Sequence, residues 1–599
     1  MNGDDTPPRA ATDRTDGNAA SMDTAIGDEA IYPVAFGAAR GGMYLRDPAT
    51  HLLLDFFAAK GLAQLKREDR EELWYADWQA YQTRHSLYAM LLTPAAYSRA
   101  GGSFDLLRYV RFLEVFAYCS PAHGYSLQVT FLGFFSIMMG TNAALKHEAA
   151  NALATGKLLA LGVSEQAHGS DLLGNEFTIR PTGEGLMANG AKYYIGNAEV
   201  AELIATLGRR IDDDGRAAGR TNRAPFMLVA LRPGRSACWR SLGKIRTQGV
   251  RAANVAGFAV KDYRLPAADV IAQGLDAWDA VFGTVTLGKF FLGFGSIGIC
   301  EHAFEEAAEH LRRRVLYGKP ALDMPHIRAT MAQAYVRLTA MKLYAYRALE
   351  YVAMASVEDR RYLLYCAVQK AKVSTEGVKV MDLLRECIGA RGFESDTYFE
   401  MASRDAPLIP SLEGSAHINL GLAAQFMARY FGRADAALGV PPSMVVREAE
   451  GRENPYLMEA RAGAVHGIGF RPFLEAYRPL TGIPAVMSFA RQAAAFRKMI
   501  RREKLEHPNA ADTQMTVALG QCMATIALGQ LVAENAARSK VLPEITALIY
   551  SLLVGELSGL ALQLATMPRF GQASRTEILR LVKVPQVRAE DWEVAGKRF

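Results

Sequence analysis

Two textures divide this chain, and the division limits its fold more than any other feature. From Pro33 to about Gly156, and again from Ala277 onward, apolar residues recur at helical spacing, as in Leu52, Leu53, Phe56 and Phe57 after the start signal Asp47-Pro48-Ala49-Thr50. Lys66 to Arg84 and Asp105 to Tyr118 repeat the pattern. Between Lys157 and about Ile271 the apolar runs are short and bounded by turns. Phe177 to Arg180 leads into Pro181-Thr182-Gly183-Glu184-Gly185, a hairpin signal, and Phe226 to Leu231 and Val255 to Val260 read as strands. The expectation is an α+β, mostly α chain with a β unit of roughly 110 residues, an ordinary domain size, set between helical segments.

At 599 residues the chain exceeds one compact core. Residues 1–30, rich in Asp, Thr, Pro, Gly and Ala, read as a disordered tail without a secretory signal. An N-terminal helical domain follows at 31–158, then the β domain, barrel-like, at 159–272. Ser296 to Tyr317, His326 to Met354, Arg361 to Ile388 and His417 to Tyr430 suggest a four-helix bundle at 273–436. Gly439-Val440-Pro441-Pro442 reads as a linker, and 437–599 as a C-terminal helical extension with runs at Ala464 to Lys498, Thr513 to Ser539 and Pro543 to Thr566.

Composition excludes several classes. A net charge of +6 without a basic block argues against a nucleic-acid partner. The six cysteines are scattered, which argues against zinc or a disulfide framework and places the chain in a reducing compartment, the cytoplasm; no metal is expected. Ile545 to Met567 is interrupted by Glu556, Ser558 and Gln563, so a buried helix pair is expected and membrane spanning is not. Asp212-Asp213-Asp214-Gly215 lacks the later Glu of a calcium loop and reads as a hairpin tip. Gly293-Phe294-Gly295-Ser296-Ile297-Gly298 matches a dinucleotide fingerprint, but it lies in a helical region with no preceding strand; close helix packing is the better reading.

Glu413, in Pro410-Ser411-Leu412-Glu413-Gly414-Ser415, fits a carboxylate on a tight turn, aimed into a cleft as a base that takes a proton beside a carbonyl. Taken alone, such a Glu-Gly pair is equally a turn or a helix cap.

Its companions sharpen the reading. Leu161-Gly162-Val163-Ser164-Glu165-Gln166-Ala167-His168-Gly169-Ser170, Gly190-Ala191-Lys192-Tyr193-Tyr194-Ile195-Gly196, Arg314-Val315-Leu316-Tyr317-Gly318, Ile388-Gly389-Ala390-Arg391-Gly392-Phe393 and Leu412 to Ser415 occur in this order. Together, over about residues 40 to 435, they resemble the acyl-CoA dehydrogenase flavoproteins, with an extension similar to that of the very-long-chain members. The resemblance implies FAD as cofactor and an acyl thioester, on CoA or a carrier protein, as substrate. It implies Glu413 as the catalytic base, β-hydride transfer to flavin N5, an electron-transfer flavoprotein-like acceptor and a role in lipid metabolism. Leu161, Val163, Ser164, Gly169, Ser170, Tyr194, Gly196 and Ser415 would contact the cofactor in the same subunit. Arg314 and Tyr317 would reach FAD held by a neighbour, making a homodimer part of the site. Ser170, Lys289 and Gly414 would contact substrate.

Departures from the pattern bear on these expectations. Gly196 lacks the usual hydroxyl. Lys289 replaces an Arg near the carrier entrance, with Thr286 in place of an acid. Pro325, Glu386, Ala390 and His417 replace usual residues of the cofactor set. His168 and the extension also occur in oxidases of the family. Two alternatives therefore stand beside the dehydrogenase: an oxidase passing electrons to O2, and a catalytically silent scaffold or assembly relative.

Overall fold

The computed structural model describes residues 47–599 except 100–101, 212–225, 235, 433–434, 436–437, 444–452, 460–466 and 510. The expected tail at 1–30 and the hairpin tip at 212–215 lie outside the described residues. Among the described residues the helices α1 (Pro48–Glu71), α2 (Ala76–Arg84), α3 (Leu87–Leu92), α4 (Leu106–Cys119), α5 (Pro121–Met138) and α6 (Ala143–Ala154) precede the β unit. Side-chain caps start three of them: the carboxylates of Asp47 and Asp105 and the amide oxygen of Asn142 accept the N–H three residues on. The run Lys66 to Arg84 is not one helix; Glu72 turns left-handed at φ 55° and ends α1. Helix α5 is buried on all sides, so its sequence shows no amphipathic period.

The β unit contains β1 (Leu158–Gly162), β2 (Thr178–Thr182), β3 (Gly185–Gly196), β4 (Ala201–Arg210), β5 (Phe226–Leu231), β6 (Trp239–Lys244), β7 (Val255–Leu265) and β8 (Val270–Gln273). They form one eight-stranded sheet in the order β6-β7-β3-β2-β4-β5-β8, with β1 parallel to β4. The β3–β7 register slips between Lys192 and Ile195, a bulge that holds Tyr194 at φ 60° and turns its ring outward.

The bundle begins with α7 (Gly274–Arg313), 40 residues long and starting well before Ser296. The hairpin β9 (Val315–Leu316) and β10 (Lys319–Pro320) leads to α8 (Pro325–Ala353), α9 (Tyr362–Val368), a π turn at Gln369–Val373, α10 (Ser374–Ile388), α11 (Tyr398–Asp405), a 3-10 stretch at Ala406–Ser411, α12 (Ala416–Ala424) and α13 (Met427–Tyr430). The glycine fingerprint lies inside α7: a Cβ at Gly298 would strike the Glu114 carbonyl of α4, and one at Gly293 would strike Gln369. At the bundle centre, fully buried Lys342 donates to Glu114 (2.8 Å) and Glu301 (2.5 Å), joining α8 to α4 and α7.

The extension comprises α14 (Tyr456–Glu459), α15 (Pro484–Arg502), α16 (Thr513–Arg538), α17 (Pro543–Ala565), α18 (Gln572–Leu579) and α19 (Ala589–Gly596). It packs on the bundle of its own chain through Arg347–Glu534 (2.8 Å), Arg538–Glu350 (2.8 Å) and the Asn535 amide on the Leu343 carbonyl (2.8 Å). Ile545 to Met567 does not form a helix pair: α17 runs unbroken to Ala565. By length and composition α7, α16 and α17 could each cross a membrane, yet 78%, 89% and 67% of their apolar windows are buried in the fold. Arg501 and Arg502 at the basic end of α15 pair with Glu506 (3.5 Å) and Glu577 (3.1 Å).

Candidate active site

Glu413 stands on the turn between the 3-10 stretch and α12. Its φ is 51° and that of Gly414 is 91°, two successive left-handed residues. Two side chains hold this turn: the Ser415 hydroxyl caps α12 by accepting from Ile418 N–H (3.4 Å), and the buried Asn419 amide donates to the carbonyls of Gly414 and Ser415 (3.0 Å each). One carboxylate oxygen, Oε1, accepts from Gln128 Nε2 at 2.9 Å; the same amide donates to the Gly288 carbonyl at 3.0 Å. The other, Oε2, is buried without a partner and lies over Gly288, where any Cβ would collide with it. Burial pushes the carboxyl up to about 7, against the Gln128 hydrogen bond and the charges of Lys370 and Lys289.

Those two lysines are themselves desolvated, Lys289 down to about 8 and Lys370 down to about 7. Lys370 donates to the Ile409 carbonyl (2.7 Å), just before the turn that carries Glu413. Lys289 was expected near a carrier entrance, but the structure places it 5% exposed inside α7, with its charge facing Glu413 and Cys366.

Beside Glu413 lies a partly open cavity, about 530 Å³ when the solvent space outside its mouth is counted with it. Tyr125, Gln128, Val250, Phe291, Gly295 and Leu412 are among its walls, and the lining is almost wholly hydrocarbon. Val250 reaches it in a strained conformation, φ 46° for a β-branched residue, and its N–H donates to Asp405 Oδ1 at 2.7 Å. Asp405 is fully enclosed, and burial pushes its carboxyl up to about 7.

A second surface is built by the β unit. Buried Lys192 donates to the Val163 carbonyl (3.0 Å) and Glu165 Oε1 (2.8 Å), pinning the loop after β1 to β3. Ser164 and Tyr193 exchange two hydrogen bonds: the Ser164 hydroxyl donates to the Tyr193 carbonyl (2.8 Å), and Tyr193 N–H donates to the Ser164 carbonyl (3.0 Å). The Ser164 proton is thus committed to backbone, leaving its oxygen to accept. Leu161 is buried in β1, whereas Gly169 and Ser170 are exposed on the loop. Tyr194 is 57% exposed on its bulge. Gly196 has a packing reason: a Cβ there would come within 2.6 Å of Val129 and 2.9 Å of Tyr125 on α5. His168 is held by the Asp171 carboxylate (2.8 Å) as well as by backbone.

A third cluster lies on the outer surface. Tyr317 is 97% exposed at φ 52° and Phe393 73% exposed, while a Cβ at left-handed Gly389 would touch the Arg314 guanidinium at 3.4 Å. Uncovered aromatic plates on two surfaces and an exposed guanidinium without an ion pair among the described residues fit a cofactor with a flat ring and phosphates. Sequence reasoning missed Gln128, Lys370 and Gly288. A lone amide in the apolar stretch 121–138 was the signal for the first.

An N-terminal helical unit, a sheet and a bundle converging on one carboxylate define an acyl-CoA dehydrogenase architecture. Residues 277–428 match the family Acyl-CoA dehydrogenase, C-terminal domain. The chain is 23% identical over 331 residues to cyclohex-1-ene-1-carbonyl-CoA dehydrogenase of Syntrophus aciditrophicus (strain SB), covering 55% of this chain and 77% of that protein. It is 23% identical over 397 residues to the mitochondrial short-chain specific acyl-CoA dehydrogenase of Mus musculus, covering 64% and 91%. Among solved structures it is similar to an acyl-CoA dehydrogenase complexed with FAD from Bacillus anthracis, with a TM-score of 0.72 at 17% identity, over 95% of this chain and 96% of that one. It also shares its fold with a prolyl acyl carrier protein oxidase, at a TM-score of 0.55 and 19% identity over 63% and 98%. Residues 277–428 thus match a domain of the acyl-CoA dehydrogenase family, and the chain shares its fold, C-terminal helices included, with the Bacillus anthracis protein.

Proposed function

We propose that this protein is an FAD-dependent oxidoreductase that converts an acyl thioester to its α,β-unsaturated form, with Glu413 as base. The observation that carries the reading is Glu413 itself: a carboxylate on a strained turn, desolvated, with one oxygen fixed by Gln128 and the other unpartnered beside an apolar cavity. A solvated carboxylate is too weak a base for a thioester α-hydrogen, and burial raises its proton affinity. The positive charges of Lys289 and Lys370 keep that affinity from rising further, so the carboxylate form stays populated near neutral pH. FAD, when bound, supplies the acceptor for the β-hydrogen and its electron pair.

The loop at Leu161, Val163, Ser164, Gly169 and Ser170, the Tyr194 plate, Gly196 and Ser415 would hold the cofactor in the same subunit. Arg314 and Tyr317 would serve the cofactor of a second copy in a homodimer. The cavity suits an uncharged hydrocarbon acyl group, because none of the described residues lining it is a cation that could pair with a carboxylate.

Anaerobic flavin bleaching by acyl thioesters, carried on CoA and on carrier-protein phosphopantetheine, tests this reading. Neutral hydrocarbon thioesters on one carrier are expected to bleach the flavin. A flavinated protein that no thioester on either carrier reduces would overturn it.

A further inference from the structure

The π turn at Gln369–Val373 carries lysines that lead to opposite sides of the bundle. Lys370 is anchored on the Ile409 carbonyl (2.7 Å), and its charge faces Glu413. Lys372 meets the extension: it pairs with Glu556 of α17 and lies 3.5 Å from Glu376. Arg337 of α8 (2.6 Å) and Lys379 of α10 (2.6 Å) share Glu376, and Lys379 lies 3.6 Å from Glu556. Three cations thus meet two carboxylates, and Glu556 is the only one of the five that comes from the extension.

A π turn is one residue wider than the helix around it and needs outside contacts to persist. Here the hydroxyls of Ser374 and Thr375 accompany it, donating to the carbonyls of Lys370, Ala371 and Lys372. Without Glu556, three clustered cations would share one carboxylate, an under-neutralised and partly buried set. The turn can relieve this by tightening toward α geometry and releasing Lys372, which rotates Lys370 away from Ile409.

We propose that Glu556 is a positioning residue for the base: through Lys372 and the π turn it holds Lys370 against the loop that carries Glu413, so the extension completes the active site. This rests on the dehydrogenase reading. The groups facing Glu413 are Gln128 and Tyr125 of α5, Tyr109 of α4, Lys289 of α7 and Lys370. Those facing Glu556 are Lys372, Lys379 and, more distantly, Cys522.

The test is the pH profile of flavin reduction in Glu556→Gln holoenzyme, beside wild type and the exposed-site control Glu593→Gln. If Lys370 withdraws, the acid limb moves up by about half to one pH unit, and reduction at pH 7 slows several-fold with little change in KM. Removing a negative charge with no movement of the turn would shift the limb the other way. Glu556→Asp keeps the charge but withdraws it by one methylene, giving a smaller upward shift; it serves where the Gln variant does not fold. A limb that stays in place or moves down overturns the inference. Glu413→Gln is measured alongside: normal reduction in that variant would sink the assignment of Glu413 as base on which the inference rests, whereas its loss with an unmoved Glu556→Gln limb sinks the positioning role alone.

Discussion

Gln128 Nε2 lies 2.9 Å from Glu413 Oε1 and 3.0 Å from the Gly288 carbonyl, so one amide ties Glu413 to α7. That bond favours the charged form of the base. In Gln128→Leu the base loses it and its proton affinity rises further. The acid limb of flavin reduction should move to higher pH, and a rise of one pKa unit from about 7 would lower the rate at pH 7 by about fivefold. An unmoved limb would show that Gln128 only fills space.

Gly288 gives the other base oxygen its room. A methyl at this position would collide with Glu413 Oε2, and α7 cannot withdraw without unpacking from α5. Gly288→Ala should fold and bind flavin, yet slow reduction by about 10²-fold or more, as a displaced general base does. Stopped-flow reduction of the flavinated variant checks this; wild-type rates would mean the carboxylate works from another position.

Asp405 links pH to stability. Its folded-state carboxyl is held up at about 7 by burial, against an ordinary value of 3.8. The protonated form is therefore favoured by folding: the contribution is complete below about 4 and is lost as pH rises through about 7. Glu413 acts in the same direction. Glu376 and Glu400, both down at about 2, act below this window. The melting temperature of Asp405→Asn should fall less steeply between pH 5 and 8 than that of wild type. Identical slopes would contradict the assignment.

Arg314 and Tyr317 are too exposed to serve their own chain's core. Arg314→Ala should lower flavin content while leaving far-ultraviolet circular dichroism unchanged, because the side chain is not part of the packing. A fully flavinated monomer by light scattering would refute the shared-cofactor arrangement.

Much of this was legible in the sequence, for reasons that particular residues show. The switch from helical to strand periodicity near Lys157 was visible because β strands and surface helices each leave one face polar. Helix α5 was not, since a helix buried on every side has no polar face to set its period. Glu413 could be singled out only together with its companion segments, because its turn chemistry alone fits a helix cap equally well. Gln128, Gly288 and Lys370 could not be joined to it, because they lie on three other elements brought together only by packing. Lys289 shows the limit of transfer by resemblance: its position in the sequence suggested a channel mouth, and the fold buries it beside the base.

Removal of the substrate's α-proton by Glu413 is tested most directly by anaerobic flavin bleaching by an acyl thioester in Glu413→Gln. The amide is isosteric and cannot accept that proton, so the variant should keep its fold and its flavin and lose bleaching by about 10²–10⁴-fold or more. Bleaching at near wild-type rate in a fully flavinated Glu413→Gln protein would place the base elsewhere and contradict the account.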